Sequence, residues 1–288
     1  MKNKIMRLKD YFLTFFKGAI IGIANIIPGV SGGTLAVSLG IYEAILNAIG
    51  NFFKSIKKNI LVLLPVILGA IVGILASSKI ITIALDKYKA QTICLFIGLI
   101  FGGISLLMKK TNGKNTPSNL IIFFVVFIGV IIFNMLVPTA KDITLTNLVF
   151  KDYVILLVLG IIASSAMVIP GISGSFIMML FGYYEPIVST ISNLGNFSLL
   201  GHNLSILVPF GIGALIGIVL ISKLISYFIK KFETKTYFAI MGFVLSSIVI
   251  LILEIIPFKY TFANIFTCIL ALLWGYLLAK NIEKENDL

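Results

Sequence analysis

The sequence predicts an all-α polytopic integral membrane protein built from two inverted repeats. Its composition is the first observation: 59% of the 288 residues are hydrophobic and 12% are charged, whereas soluble domains carry about 25% charged residues. Uncharged apolar runs close to the roughly 20 residues needed to cross a bilayer are the second. The third is a helix-breaking Pro-Gly-x-Ser-Gly element that occurs in both halves of the chain. Together they predict spanning helices with two buried breaks.

The first broken segment covers about residues 11–49. Pro28 and Gly29 interrupt its apolar run, and Gly40-Ile-Tyr-Glu43 follows the break. As one straight helix, at about 1.5 Å per residue, it would approach twice the hydrocarbon thickness. It is either a re-entrant hairpin of two half-helices or two full spans. We favour the hairpin, because an uncharged Pro-Gly-x-Ser-Gly-Gly element suits a buried turn better than a loop in water.

Three uninterrupted apolar spans follow the break in each half. The first repeat covers residues 1–150, with a re-entrant segment at about 11–49 and spans at about 60–78, 90–108 and 119–138. The second covers residues 151–288, with a re-entrant segment at about 153–191 and spans at about 204–222, 236–254 and 261–279. Three crossings per half is an odd number, so the halves are expected to be inverted, a common plan in alternating-access transporters.

The two halves are related by matching residues over most of their length. An offset of 142 residues pairs Pro28 with Pro170, and further along an offset of 144 pairs Pro65 with Pro209. The same two offsets match many glycines, serines and lysines of the first half with identical residues of the second half. The offset of 142 also matches Glu43 with Glu185. Similarity on this scale indicates a tandem duplication rather than a chance recurrence of one motif.

Charge placement predicts the orientation but not the geometry of the broken segments. The net charge is +12, yet the lysines lie in short loops between apolar runs, where they set orientation and meet anionic headgroups. We therefore expect no nucleic-acid partner, and we place both termini in the cytoplasm. Re-entrant and fully spanning segments give nearly the same positive-inside excess, so both remain open on this criterion. Nothing in the sequence predicts the oligomeric state.

The residues needed for catalysis or metal binding are scarce. Arg7 is the only arginine, His202 the only histidine, and Cys94 and Cys268 the only cysteines. A lipid phosphatase typically needs a nucleophilic histidine with an arginine and an acid, or a metal cluster. The sequence therefore predicts no enzyme, no metal and no cofactor.

The breaks themselves supply groups that can bind an anion. Ser31 is placed to cap a helix whose first N–H groups would point into the first break, and Ser173 does the same in the second copy. Free N–H groups at the positive end of a helix bind phosphate without a charged side chain. The predicted phosphate-binding residues are Ser31, Gly32, Gly33, Thr34, Ser173, Gly174 and Ser175, and the helix-breaking residues are Pro28, Gly29, Pro170 and Gly171.

Three further polar residues of the broken segments are candidates for coupling or gating. Asn25 lies about one turn before the first break. Its side-chain amide either binds the ligand of the site or forms a hydrogen bond between two helices. Glu43 and Glu185 lie about 18 Å beyond the capping serines along a helix, nearer to a membrane face than to the midplane. They are either solvated interfacial carboxylates or groups that couple transport to a proton.

These motifs resemble those of a known family. The strings Asn25-x-x-Pro-Gly-Val-Ser-Gly-Gly-Thr34, with Gly40-Ile-Tyr-Glu43, and Ala166-Met-x-x-Pro-Gly-Ile-Ser-Gly-Ser175 resemble bacterial polyprenyl-phosphate transporters of the PopT type, long catalogued as a domain of unknown function. The likeness covers both halves. Many members of that family carry Asp at the position of Asn25, so a coupling role of that acid would not carry over to this chain.

The resemblance implies a function and a location. It implies that undecaprenyl phosphate, or a related polyprenyl phosphate, is returned across the bacterial plasma membrane for reuse in cell-wall synthesis, with a coupling proton or cation as a further expected partner. A lipid monophosphate needs an anion site at membrane depth, because an unpaired charge in hydrocarbon is costly. The alternative is an ion-coupled transporter or channel for a small soluble anion, which would use the same helix ends.

Overall fold

The computed structural model describes residues 8–26, 31–111, 113–136, 143–146, 148–193, 196–257 and 261–287. These ranges form α-helices without any strand, which confirms the predicted all-α class. The helices are α1 (Leu8–Ile26), α2 (Gly32–Ser38), α3 (Tyr42–Gly50), α4 (Ile56–Thr111), α5 (Pro117–Leu136), α6 (Phe150–Val168), α7 (Gly174–Leu180), α8 (Tyr184–Ser192), α9 (Leu200–Lys231), α10 (Glu233–Ile255) and α11 (Phe262–Asp287).

Seven stretches of the described residues are long and apolar enough to cross a membrane, so the chain is a multi-pass membrane protein. They are Ile56–Ala76, Lys87–Thr111, Pro117–Leu136, Phe150–Val168, Phe197–Lys231, Glu233–Ile255 and Phe262–Lys284. Six overlap the six predicted spans. Two of these lie in α4, which bends at Tyr88 because the φ of −134° and ψ of 40° there are not helical. The seventh, Phe150–Val168, is the first arm of the second broken segment.

Each broken segment contains three helices rather than the two half-helices of a simple hairpin. In the first, α2 and α3 meet at an angle of 116°. Gly40 has a φ of 71°, its N–H bonds to Val37 O at 3.0 Å, and the N–H of Ile41 bonds to Ala36 O at 3.0 Å. This is the hydrogen-bond pattern of a left-handed glycine that ends a helix. It explains the second bend, which the interpretation of Pro-Gly as the only break did not include.

The second broken segment bends in the same way between α7 and α8. Gly182 has a φ of 73°, its N–H bonds to Met179 O at 3.1 Å, and the N–H of Tyr183 bonds to Met178 O at 2.9 Å. The Gly-x-Tyr-Glu sequence that follows each break is therefore a helix-ending turn with the same geometry in both halves.

Helix α1 packs closely against the first part of α4. A side chain at Gly18 would strike the backbone of Val66, and one at Gly22 would strike the backbone of Ala70. Because both residue numbers increase together, the two helices run parallel. The chain between them, which includes α2 and α3, therefore returns to the side where α1 began, as a hairpin requires.

The same arrangement recurs between α6 and α9. A side chain at Gly213 would strike Leu157 O, and one at Gly217 would strike Ile161 O, so these helices also run parallel. Small residues allow such close contact between membrane helices. The chain between α6 and α9, which includes the break, α7 and α8, therefore also returns to the side where α6 began. Re-entry into the membrane and the inverted relation of the two halves stay predictions.

The last two spans of each half pack against the last two spans of the other half. The Lys87–Thr111 part of α4 packs on α11, and α5 packs on α10. A side chain at Gly98 would strike Leu272 O, and one at Gly275 would strike Leu95 O. The sequence offset of 144 residues relates Lys87–Thr111 to α10 and α5 to α11, so each half contributes one partner to each pair.

The two short helices that follow the breaks differ in burial. Every residue of α2 is buried, whereas only Gly174 and Ile177 are buried in α7. Helix α2 is thus enclosed by protein, and α7 is more open.

Candidate functional site

Ser31 and Ser173 lie at the N-caps of α2 and α7, as the repeat predicts. Their backbones are extended, with φ and ψ of −93° and 124° at Ser31 and −101° and 130° at Ser173. Their carbonyls accept hydrogen bonds of 3.2 Å from Leu35 and Ile177. Neither serine hydroxyl caps its own helix, so both hydroxyls are available for other contacts.

Both motifs line one cavity of about 290 Å³. The first motif contributes Asn25, Ser31 and Gly32 to its lining, and the second contributes Ser173, Gly174 and Ser175. The remaining wall is mainly apolar and comes chiefly from α6 and α9: Ala163, Ser164, Met167, Ile172, Met178, Phe210, Ala214 and Ile218. Residues about 142 positions apart in sequence thus face each other across a small polar space. We call this space the central cavity.

The hydroxyl of Ser31 has no partner in the described part of the chain. Its side-chain oxygen is fully buried and makes no hydrogen bond. Leaving a buried polar group unpaired costs about 1–3 kcal/mol. On the other side of the central cavity, Ser173 Oγ and Ser175 Oγ lie 2.6 Å apart and form a hydrogen bond in which either hydroxyl can be the donor. One hydroxyl of this pair keeps a free proton, so it can donate to an anion in the cavity together with Ser31.

Backbone N–H groups add to the polar lining. The first N–H groups of a helix have no carbonyl partner within the helix, and among the described residues the N–H of Leu35 is the first in α2 to bond to a carbonyl, that of Ser31. A Cβ at Gly32 would lie 2.5 Å from Asn25 Oδ1. Glycine at this position therefore lets the Asn25 amide approach the backbone at the start of α2.

Thr34 and Gly33 bind the second motif rather than lining the cavity. The Thr34 hydroxyl is fully buried and accepts a hydrogen bond of 2.7 Å from the N–H of Gly171. A Cβ at Gly33 would lie 3.0 Å from Val168 O. Thr34 and Gly33 were both predicted to bind phosphate, and phosphate binding by their backbone N–H groups stays a prediction. The hydroxyl of Thr34 and the Cα of Gly33 contact the second break instead.

The second break is described in full, whereas Pro28 and Gly29 of the first lie outside the described residues. Helix α6 ends at Val168, and Ile169 is extended with φ of −72° and ψ of 124°. Gly171 has a φ of 80°, and a side chain there would strike Phe243 O of α10. Pro170 and Gly171 therefore turn the chain at the end of α6. At position 171 only glycine fits, because any side chain would collide with α10.

Glu43 lies outside the central cavity, in contact with two residues that sequence reasoning did not identify. Its carboxylate accepts a hydrogen bond from Tyr237 Oη and forms an ion pair of 2.8 Å with Lys110 Nζ. The neighbouring Tyr42 donates a hydrogen bond of 3.1 Å to Val168 O, at the second break. Nothing in the spacing of these residues indicates the contacts, since they join α3 to α4, α6 and α10.

Glu185, the repeat partner of Glu43, has a different environment. It lies in the first turn of α8 and is exposed. No hydrogen bond or ion pair involves its carboxylate within the described residues. The two matched acids are therefore not equivalent in this conformation.

An apolar groove of about 450 Å³ runs between α9 and α10. Its inner end is formed by Tyr42, Ile169 and Pro170, and Lys235 lies in its lining. Leu224, Phe228 and Phe232 along the groove are exposed by 49%, 41% and 44%. The groove therefore connects the second break with the outer surface of the helical bundle, and sequence periodicity gave no sign of it.

Comparison with known proteins gives a consistent result. Residues 21–267 match a family model described as undecaprenyl phosphate translocase-like. A polyprenyl-phosphate transporter of Staphylococcus aureus is 32% identical over 246 residues, covering 82% of this chain and 84% of that protein. A polyprenyl-phosphate transporter of Vibrio cholerae is 28% identical over 253 residues, covering 83% and 77%. No solved structure gives a significant match.

Proposed function

The chain belongs to the undecaprenyl phosphate translocase-like family, and from that premise we propose that it carries undecaprenyl phosphate, or a closely related polyprenyl phosphate, across the bacterial plasma membrane. The direction we propose is toward the cytoplasmic leaflet, where the lipid re-enters cell-wall polymer synthesis. The predicted resemblance to polyprenyl-phosphate transporters is confirmed by the family model and by both relatives. These are transporters and not enzymes, which agrees with the scarcity of catalytic side chains in the sequence.

The observation that carries the proposed mechanism is the central cavity. A phosphate there would accept hydrogen bonds from Ser31 Oγ, which otherwise has none, and from the Ser173 and Ser175 pair. N–H groups at the starts of α2 and α7 would add charge-assisted bonds, and such bonds are about twice as strong as neutral ones. Among the described residues, no cationic side chain lines the cavity. The headgroup would thus be bound without an ion pair that must be broken at release.

The apolar groove between α9 and α10 suits the polyprenyl chain of the same substrate. Pro170 lines the groove, and its neighbours Ser173 and Gly174 line the central cavity. A lipid could therefore place its phosphate at the second break while its tail extends through the groove toward the bilayer. Tail atoms in the groove would remain in contact with apolar side chains, so desolvation would be limited to the headgroup.

The alternative is transport of a small soluble anion through the same helix ends. It would require no apolar groove beside the break, and the exposed groove residues favour the lipid. The two functions are distinguished by proteoliposomes that contain labelled undecaprenyl phosphate in one leaflet. We expect the label to reach the other leaflet faster than in protein-free liposomes, with no matching flux of inorganic phosphate.

Exchange no faster than in protein-free liposomes would contradict the lipid transport function. Flux of inorganic phosphate without lipid exchange would support the alternative. A Ser31→Leu and a Ser173→Leu variant complete the test, because a bulky side chain at either position should obstruct the central cavity. Normal exchange by both folded variants would mean that the breaks serve helix packing only.

A further inference from the structure

Another cavity, of about 450 Å³, lies at the start of α3, where Tyr42 and Glu43 line it. Its polar lining consists of Glu43, Lys109, Lys110 and Tyr237. Tyr42 and Ile240 line both this cavity and the apolar groove. We call it the basic vestibule. A polar space with two lysines thus adjoins an apolar space large enough for part of a lipid chain.

Glu43 occupies two of the hydrogen-bond donors of the vestibule. Its carboxylate accepts from Tyr237 Oη and pairs with Lys110 Nζ at 2.8 Å. The ammonium of Lys110 also lies 5.5 Å from the centre of the Tyr237 ring. The side chains of Lys110 and Glu43 are 46% and 39% exposed, so a ligand in the vestibule can reach both. The carboxylate therefore sits where an external anion would find an ammonium and a phenol hydroxyl.

A phosphate monoester can compete with this carboxylate. It carries between one and two negative charges near neutral pH and three acceptor oxygens, whereas a carboxylate carries one charge and two oxygens. Lys109 Nζ lies at the same end of α4 and pairs with Glu283 at 3.1 Å. Glu283 also pairs with Lys280 at 2.7 Å. The three lysines of these ion pairs therefore exceed the two glutamates by one positive charge, and a net positive charge attracts an anion.

We propose that the basic vestibule is a second binding site for a phosphate monoester headgroup, and that Glu43 is an internal competitor which occupies Lys110 and Tyr237 until the headgroup displaces it. The inference rests on the proposed function and adds a second station to it. Displacement of Glu43 would also free the first turn of α3, where Tyr42 bonds to Val168 O at the second break. The vestibule and the central cavity would then be linked through these two neighbouring residues.

Binding of tritiated farnesyl monophosphate to the purified full-length protein tests this proposal. The measurement uses a Ser31→Ala/Ser173→Ala background, which removes two hydroxyls of the central cavity and leaves the vestibule unchanged. In this background we expect Glu43→Gln to raise affinity about two- to fivefold, the range expected for release of an exposed ion pair. Adding Lys110→Met should abolish that gain.

Glu254→Gln is the matched control. Glu254 of α10 pairs with Lys89 of α4 at 2.8 Å. Like the pair of Glu43 with Lys110, this ion pair joins α4 to another helix, but its residues do not line the vestibule. We expect Glu254→Gln to leave the affinity unchanged. An equal gain in Glu254→Gln, no gain in Glu43→Gln, or a gain that survives Lys110→Met would overturn the second site.

Competition experiments identify the source of the phosphate. Displacement of the label by inorganic phosphate would support a site for free phosphate, and displacement by unlabelled farnesyl monophosphate alone would support a lipid headgroup. Displacement by farnesol as strongly as by farnesyl monophosphate would overturn a site that recognises phosphate. If transport fails in proteoliposomes while Glu43→Gln still raises binding, the proposed function fails and the vestibule site stands.

Discussion

The hydroxyl of Thr34 accepts a hydrogen bond of 2.7 Å from the backbone N–H of Gly171. Thr34 belongs to the first copy of the repeated motif and Gly171 to the second, so the two breaks are joined directly. The Thr34 side of the bond is fully buried, and Gly171 is half-buried. The bond positions the start of α2 relative to the start of α7, and the serines at those two starts line the central cavity.

Replacement of Thr34 by Val removes this hydroxyl while keeping the shape of the side chain. The N–H of Gly171 would lose its partner, which costs about 1–3 kcal/mol for a buried group. We expect a lower midpoint of thermal unfolding in detergent and slower lipid exchange. Thr34→Ser retains the hydroxyl and should behave like the unmodified protein, apart from a small packing loss. A Thr34→Val protein as stable and active as Thr34→Ser would show that the bond contributes nothing.

Ser31→Ala is expected to separate stability from function. The Ser31 hydroxyl is buried without a partner among the described residues, so its removal should leave the free energy of unfolding unchanged or raise it. A hydrogen bond to a charged phosphate is worth about 1.5–3 kcal/mol, so affinity for a polyprenyl phosphate should fall by about tenfold or more.

Ser222→Ala is the control for this prediction. Ser222 is also fully buried and has no hydrogen-bond partner in the part of the chain that the structure describes, but it does not line the central cavity. It should match Ser31→Ala in stability and retain normal affinity and lipid exchange. Equal loss of affinity in both variants would contradict a specific role for Ser31.

Gly213 and Gly211 lie two residues apart in α9 and should respond oppositely to alanine. A Cβ at Gly213 would strike Leu157 O of α6, whereas a Cβ at Gly211 meets nothing within 4 Å. We expect Gly213→Ala to destabilise by about 1–3 kcal/mol through overpacking. Gly211→Ala should be neutral or slightly stabilising, because alanine favours the helix over glycine. Thermal unfolding of both variants measures the difference, and equal midpoints would show that α6 and α9 do not pack this closely.

Ala239→Phe should obstruct the apolar groove. Ala239 of α10 lines that groove, so a phenyl ring there would occupy space proposed for the polyprenyl chain. We expect slower exchange of undecaprenyl phosphate, with binding of inorganic phosphate unchanged. Ala263→Phe, at an exposed position of α11, is the control and should leave both measurements unchanged. Unimpaired lipid exchange by Ala239→Phe would place the chain elsewhere.

The helical class, the break at Pro170-Gly171 and the positions of Ser31 and Ser173 at helix starts could be predicted from the sequence, because these depend on local patterns. Apolar runs, Pro-Gly pairs and a repeated motif are visible without tertiary information. The turn at Gly40 was visible as a motif but was not recognised as a second bend, since its left-handed φ depends on backbone conformation.

Contacts between distant helices could not be predicted in this way. The bond from Gly171 to Thr34 and the ion pair of Glu43 with Lys110 depend on how α2, α3, α4 and α10 pack, and no spacing along the chain encodes them. The difference between Glu43 and Glu185 has the same origin. The repeat predicts equal roles for these residues, whereas the packing of the two halves differs.

The most direct test of the central claim is a structure of the protein with bound undecaprenyl phosphate in a lipid nanodisc. We predict phosphate density in the central cavity, within hydrogen-bonding distance of Ser31 Oγ and of Ser173 or Ser175 Oγ, with chain density leading into the groove between α9 and α10. Phosphate density confined to any other place, with the Ser31 hydroxyl still unpaired, would contradict the claim that the two breaks together hold the headgroup.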